Sequence, residues 1–304
     1  MKTDLLMLAP LLEEYEAQLA DHFNLVCAYT PDDQRQAIAK DPQRFSALVT
    51  SGGQGVPAFV LEQLPALKLI AVNGVGVDKI DMDRTRERGI EVVVTANVLT
   101  DAVADLAVGM TLTLLRQICV ADRFVRAGHW QRGAYSHLGL SVRGLRVGIL
   151  GLGQIGKAIA ERLEPFGASL SYHNRRPVET SPYAYFDSLE ALAANSDILI
   201  VAAAGGAASR HLVSAAVLDA LGPDGMLVNV ARGTVVDEKA LTERLVDGRL
   251  AGAALDVFED EPQVPAALLD LENVVLQPHL GSATLQTRRA MAQIVVDAVM
   301  SGAR

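Results

Sequence analysis

Leu145-Arg-Val-Gly-Ile-Leu150-Gly151-Leu-Gly153-Gln-Ile-Gly156 is the stretch from which the fold is read. Leu145 to Leu150 has the composition of a buried strand and Gln154 to Glu164 the pattern of a helix, so the three glycines sit where a strand turns into a helix. There the first glycine permits the tight turn, the second lets backbone approach a pyrophosphate, and the third lets helix pack on strand. The helix N-terminus adds unpaired N–H groups and a partial positive charge. Gly151, Gly153, Gln154, Ile155 and Gly156 are therefore candidate dinucleotide contacts. A purely structural turn would use the same glycines, but the flanking strand and helix speak for the nucleotide.

Downstream, a strand is predicted over Ser169 to Tyr172, and at its end an NAD site would place Asp or Glu on the ribose 2′-hydroxyl. This chain has none there. It reads Tyr172-His173-Asn174-Arg175-Arg176-Pro177, a small polar residue and two guanidinium groups suited to a 2′-phosphate. The expectation is NADP(H) preferred over NAD(H), with Asn174, Arg175 and Arg176 in contact. The competing reading is a solvated basic turn.

On both sides of this unit, short apolar runs alternate with helical patterns, as in βαβ units with a parallel sheet. Earlier strands are expected at Leu5 to Ala9, Asn24 to Tyr29, Ala47 to Ser51, Lys68 to Asn73 and Ile90 to Val94. Later ones are expected at Ile198 to Ala202, Met226 to Asn229, Gly252 to Asp256 and Val274 to Leu276. Asp101 to Arg126 reads as one long, mostly apolar helical segment linking two domains, and Ala283 to Val299 as a helix that docks back onto the first. The fold class is α/β, with two doubly wound parallel-sheet domains. The length of 304 residues agrees, since single cores stop growing near that size.

Charge and composition exclude several classes. Against 27 basic residues stand 36 acidic ones, a net charge of −9, which repels polyanions and speaks against nucleic acid or an anionic membrane surface as partner. Any phosphate site must be local. Cys27 and Cys119 lack metal-ligand spacing, so neither a disulfide framework nor a zinc site is expected. The apolar run in Met1 to Pro10 is followed at once by Glu13, Glu14 and Glu16, where a signal peptide would place its cleavage region. No run reaches the ~18 apolar residues of a membrane helix. A soluble, cytoplasmic protein is expected.

Three later segments carry groups suited to carbonyl reduction: Asn229-Val230-Ala231-Arg232-Gly233, Asp256-Val-Phe-Glu-Asp-Glu261-Pro262 and Gln277-Pro278-His279-Leu-Gly281-Ser282-Ala283-Thr284. Each follows a predicted strand, where the carboxyl ends of a parallel sheet line a ligand crevice. With these motifs in this order, and the Asn73-Gly74-Val75-Gly76-Val77-Asp78 loop before them, nearly the whole chain resembles the D-isomer-specific 2-hydroxyacid dehydrogenases. Within them it looks like the glyoxylate and hydroxypyruvate reductase branch.

That resemblance implies a Rossmann NAD(P)-binding domain over residues 100–283, inserted into a flavodoxin-like substrate domain of residues 1–99 plus 284–304. It implies a homodimer and a small 2-oxo or 2-hydroxy acid as substrate. The family's catalytic arginine, glutamate and histidine fall on Arg232, Glu261 and His279. A permanently charged, forked guanidinium at Arg232 can grip the substrate carboxylate and polarise the 2-oxo group. His279 can protonate the carbonyl oxygen, because imidazole exists in both states near neutral pH. Glu261, if bonded to His279, favours imidazolium and fixes the ring.

Gly74, Val75 and Gly76 could present N–H groups to the substrate carboxylate, with a plain tight turn as the alternative. Val230, Ala231, Arg232, Asp256, His279, Gly281 and Ser282 complete the expected cofactor contacts, Asp256 being equally readable as a strand-end cap. Trp130 resembles a tryptophan that in reductase relatives reaches a neighbouring subunit, and a core or dimer-packing role is the first expectation for it. One stretch departs from the family: Ala202-Ala-Ala-Gly205-Gly206-Ala-Ala-Ser209-Arg210 replaces a proline-containing loop, so no cofactor contact is carried over there. The rival functions are a reductase of bulkier acids such as 2-oxogluconate, a dehydrogenase working mainly in the oxidative direction, and a dinucleotide-sensing binding protein with little turnover.

Overall fold

Apolar runs too short for helices form strands throughout the chain, and the residues between them form helices wherever a cap and an apolar stripe coincide. The structure, a computed structural model, describes residues 2–302. It divides into two units, one formed by the residues up to Leu99 together with those from Thr284 onward, the other by Thr100–Ala283.

In the first unit β1 (Thr3–Met7), α1 (Glu13–His22), β2 (Phe23–Cys27), α2 (Pro31–Lys40), β3 (Phe45–Ser51), α3 (Ala58–Gln63), β4 (Leu69–Asn73), α4 (Met82–Glu87) and β5 (Glu91–Val94) alternate. The helix α2 shows how local chemistry sets a boundary. Thr30 accepts the Asp33 N–H while the Asp33 carboxylate accepts the Thr30 N–H, and Pro31 opens the first turn; each feature favours a helix start. The strands form a parallel sheet in the order β2-β1-β3-β4-β5, the flavodoxin-like order. Alternate residues separate to its two faces: Leu6, Leu48, Ile70 and Val72 enter one core, while Leu5, Met7, Val49 and Ala71 enter the other, where Val295, Val296 and Val299 of the C-terminal helix cover them.

The second unit comprises α5 (Thr100–Arg116), α6 (Ile118–Arg126), β6 (Arg146–Leu150), α7 (Gln154–Leu163), β7 (Ser169–His173), β8 (Ala184–Tyr185), α8 (Leu189–Ala194), β9 (Ile198–Val201), α9 (Ala215–Leu221), β10 (Met226–Asn229), α10 (Glu238–Val246), β11 (Gly252–Leu255), α11 (Ala266–Leu269) and β12 (Val274–Leu276); the C-terminal helix, α12, is Leu285–Gly302. Its parallel sheet runs β12-β11-β10-β9-β6-β7-β8. Strand order reverses between β6 and β9, the switch point at which open α/β sheets bind ligands. Ile149, Leu199, Ile200, Leu227, Val228, Ala253 and Ala254 are wholly buried, as expected of central parallel strands covered on both faces.

Two expectations are corrected. The helical segment expected over Asp101 to Arg126 is not continuous: Gln117 adopts φ 52°, and α5 and α6 meet at a bend of 62°. α5 is anchored within its unit, with Ala104, Ala107, Met110 and Leu115 buried and Asp101 and Asp105 both bonded to Arg162 of α7. No residue of α6 is buried, so nothing in the chain's own core holds the two helices collinear. Trp130 is not a core residue either. It is 66% exposed, in an exposed apolar series with Ile118, Val125, Leu138 and Leu140. Among the described residues no single helix is long and apolar enough to cross a membrane.

Candidate active site

The loops leaving the carboxyl ends of β6, β7 and β9 enclose a cavity of about 1000 Å³, lined by Gly151, Gly153, Asn174, Arg175 and Arg176 among others. The glycines earn their places by different contacts. Gly151 lies at φ 97°, and a Cβ there would fall 2.7 Å from the Ala203 backbone; one on Gly156 would fall 2.1 Å from the Gly151 carbonyl oxygen. Gly153 is the reverse case, for a Cβ on it would meet nothing within 4 Å, leaving its backbone open to a ligand in the cavity. Gly153 also caps α7 without a side chain, and the N-terminus of a helix turns its first N–H groups and a partial positive charge toward an anion. Gln154, Ile155 and Gly156 form that first turn, with Gly156 buried.

At the end of β7 the Asn174 Oδ1 accepts the Leu152 N–H at 2.7 Å. Its amide NH2 remains as a donor, where Asp or Glu would offer only acceptors. Arg175 and Arg176 are exposed at the cavity wall. A nicotinamide dinucleotide fits this donor set: open glycine backbone and a helix N-terminus for a pyrophosphate, and an amide with two cations for a phosphorylated ribose. The sequence reading left two parts of the wall unassigned. His173 lines the cavity, its Nδ1–H donating to the Phe186 carbonyl at 2.9 Å. The proline-free loop supplies Ala203 to Ser209 and Leu212. The glycines, alanines and serine of that loop carry no signature that pattern reading could have used.

The same sheet edge carries the reacting groups expected from sequence. After β10, buried Asn229 builds a turn: its Nδ2 donates to the Arg232 carbonyl at 3.0 Å and its Oδ1 accepts the Ala231 N–H at 3.1 Å. Arg232 projects from that turn half-buried, its Nη1 donating to the Ala231 carbonyl at 2.8 Å. Val230 and Ala231 are buried and their N–H groups are engaged by Val201 O and Asn229 Oδ1. Their expected role as cofactor contacts is thus confined to atoms other than those donors.

Asp256, at the end of β11, is buried, and both its carboxylate oxygens are engaged: Oδ1 accepts the Leu280 N–H at 2.6 Å and Oδ2 the Gly281 N–H at 2.8 Å. Its carbonyl accepts the His279 N–H at 2.8 Å. Burial pushes the Asp256 carboxyl above its ordinary range, while the two N–H bonds and His279 pull the other way. Of its two readings, the geometry displays the strand-end cap. These three bonds hold His279 at φ 56°, a region costly for a residue with a side chain unless its surroundings enforce it.

His279 Nδ1 lies 2.8 Å from Glu261 Oε2. A carboxylate has no proton to give, so Nδ1 carries it, and Nε2 is the nitrogen left to exchange protons with a ligand. Glu261 is itself fixed, its Oε1 accepting the Phe258 N–H at 3.2 Å. Ser282 is half-buried after Gly281.

The Phe258–Glu261 segment lies directly on Gly233, where a Cβ would fall 1.9 Å from the Phe258 carbonyl carbon and 2.3 Å from the Glu259 nitrogen. Gly233→Ala is expected to destabilise the protein by about 1–3 kcal/mol, the range of core overpacking, and to displace Glu261. A lowered thermal midpoint together with a lowered kcat checks this; wild-type values of both would refute it.

In the other unit, Gly74, Val75 and Gly76 follow β4. The Gly74 N–H already donates to the Val72 carbonyl at 2.9 Å, and the Gly74 carbonyl accepts the Thr95 N–H at 2.9 Å. The three-donor nest expected from sequence therefore narrows to Val75 and Gly76.

The chain is similar to known proteins along nearly its whole length. The family model described as "D-isomer specific 2-hydroxyacid dehydrogenase, NAD binding domain" matches residues 108–281. A hydroxyphenylpyruvate reductase of Plectranthus scutellarioides is 45% identical over 96% of this chain and 93% of its own length. A 2-ketogluconate reductase of Gluconobacter oxydans is 45% identical over 97% and 94%. Among solved structures, an NADPH-dependent glyoxylate/hydroxypyruvate reductase from Sinorhizobium meliloti, in complex with NADP and malonate, superposes with a TM-score of 0.90 at 41% identity, over 99% of this chain and 94% of that one.

Proposed function

Because the chain belongs to the D-isomer specific 2-hydroxyacid dehydrogenases, we propose that it reduces a small 2-oxo acid of the glyoxylate or hydroxypyruvate type to the D-2-hydroxy acid, with NADPH preferred over NADH. The observation that carries this reading is the His279–Glu261 bond at the sheet edge that also holds the glycine-lined cavity. Bound NADPH supplies the hydride. His279 Nε2, opposite the nitrogen held by Glu261, gives its proton to the carbonyl oxygen as negative charge develops there. Arg232 binds the substrate carboxylate and polarises the 2-oxo group through two N–H donors at once, and Val75 and Gly76 offer backbone N–H groups to an anion.

Asn174, Arg175 and Arg176 support the cofactor preference, since no acidic side chain stands where a ribose 2′-hydroxyl would be held. Arg175→Ala combined with Arg176→Ala is expected to raise the Michaelis constant for NADPH tenfold or more and to leave that for NADH nearly unchanged, because charge-assisted hydrogen bonds contribute ~1.5–3 kcal/mol each. Equal losses with both cofactors would sink the preference. A panel of 2-oxo acids, each assayed with NADPH and NADH, tests the substrate class. The 2-ketogluconate reductase likeness favours as second reading a bulkier sugar acid, which the same panel would reveal. No turnover of any 2-oxo acid would leave the dinucleotide-sensing role.

We also propose that the protein is a cytoplasmic homodimer. The exposed apolar series Ile118, Val125, Trp130, Leu138 and Leu140, with Leu138 90% exposed, supports dimerisation, because so many large apolar side chains within one short stretch mark an interaction surface rather than a solvated one.

A further inference from the structure

The cavity-lining loop after β9 has no proline to hold its shape. It leaves the strand through Gly205 and Gly206, with Gly206 at φ 131°, and makes one 3-10 turn over Ala207–Ser209. Just beyond that turn, two side chains converge on a single oxygen. Arg210 Nη2 donates to Glu259 Oε1, and His211 Nε2 lies 3.1 Å from the same atom. His211 is at φ 52°, with its N–H fixed on the Thr234 carbonyl at 2.8 Å. A residue with a side chain keeps such a conformation only where its surroundings enforce it.

On its other side, Glu259 stands two residues before Glu261, and its N–H donates to Glu238 Oε2 at 3.0 Å. Burial pushes the Glu238 carboxyl up, the Glu259 N–H bond draws it down, and the charges of Glu259, Asp260 and Glu261 raise it again. So many carboxylates together repel one another unless cations face them; Arg210 supplies one for Glu259 and, when protonated, His279 one for Glu261.

We propose that Glu259 is a positioning residue that clasps the cofactor-lining loop, through Arg210 and His211, to the segment carrying Glu261. The clasp does for this loop what a rigid turn would otherwise do. It also holds the cavity wall and the partner of His279 in one arrangement, so that cofactor affinity and proton transfer depend on each other. The inference rests on the reading of Glu261 and His279 as the reacting pair.

The test measures the NADPH dissociation constant by fluorescence titration without substrate, together with kcat and the substrate KM for reduction, in Glu259→Gln, Arg210→Met, their double variant and the exchange Arg210→Glu with Glu259→Arg. Arg210 is half exposed, so the expected effects are a few-fold, in line with exposed charge pairs. Each single variant should weaken NADPH binding about threefold to fivefold and lower kcat by a similar factor, with the substrate KM little changed. The double variant should be no worse than the worse single one, and the exchange should recover part of the loss. Additive losses, or a lowered thermal midpoint with the dissociation constant and kcat unchanged, would overturn the clasp. Glu261→Gln serves as the reference. Should it leave kcat unmoved, the reacting-pair reading fails, and with it the proposed link to proton transfer, whereas non-additivity in NADPH binding still reports on the contact between the loop and Glu259.

Discussion

Replacing His279 by glutamine is expected to lower kcat/KM for reduction of glyoxylate or hydroxypyruvate by about a hundredfold or more at every pH, the size of a general-acid contribution. Glutamine fills much of the imidazole's space but has no proton to release near neutral pH. Glu261→Gln should behave differently. Its amide has one acceptor where the carboxylate has two, so it cannot accept from both His279 Nδ1 and the Phe258 N–H. The ring is then held less firmly, and kcat/KM should fall roughly tenfold, the size of one lost hydrogen bond and less than the fall in His279→Gln. Values of kcat/KM for both variants separate the roles. Unchanged rates in Glu261→Gln would mean that the 2.8 Å contact does not position the histidine, and near wild-type rates in His279→Gln would remove the histidine from the reaction.

The second large effect is expected at Arg232. Lysine preserves the charge there but presents a compact ammonium in place of a planar fork, so it cannot hold a carboxylate and polarise the neighbouring carbonyl together. Losing one charge-assisted hydrogen bond of ~1.5–3 kcal/mol predicts a fall in kcat/KM of roughly tenfold to a hundredfold for Arg232→Lys, and a larger one for Arg232→Ala. The buried Asn229 turn bonds only to main-chain atoms of Ala231 and Arg232, so it should survive either substitution and the loss should fall on activity rather than on the thermal midpoint. Unchanged kinetics in Arg232→Lys would show that the guanidinium fork is not used.

What could be read from the chain was chemistry that is local in sequence. The glycines of 151–156 sit inside one strand-to-helix turn, so their spacing carries their function. Each central strand declares itself as an apolar run because both sheet faces are covered, and the expected strands at Met226–Asn229 and Val274–Leu276 coincide with β10 and β12. β8 escaped notice because a strand of only two residues has no period. The break at Gln117 escaped because glutamine is a good helix former, and nothing in its propensity announces the left-handed φ at which α5 ends. For Trp130 the core half of the expectation fails, because an apolar side chain predicts burial without saying in what, and the chain's own core does not take it. The Arg210–Glu259 contact spans 49 positions and the Glu259–Glu238 contact 21; pairings of this kind leave no mark on the residues around them.

The last helix of the chain closes a core begun by the first strand. Leu5 and Met7 lie against Val295, Val296 and Val299, with the whole of Thr100–Ala283 between them in sequence. On the ribosome, where chains emerge N-terminus first and domains settle as they are completed, the order of synthesis is therefore not the order of folding. Of the two units, the one whose residues emerge first is the last to acquire its complete interior, and until α12 emerges it carries an uncovered apolar sheet face. A chain halted after β12 but before α12 can hold a complete nucleotide sheet together with an incomplete first unit. Quality control by chaperones and proteases would meet it as a nascent protein whose earlier-made unit is the less protected of the two.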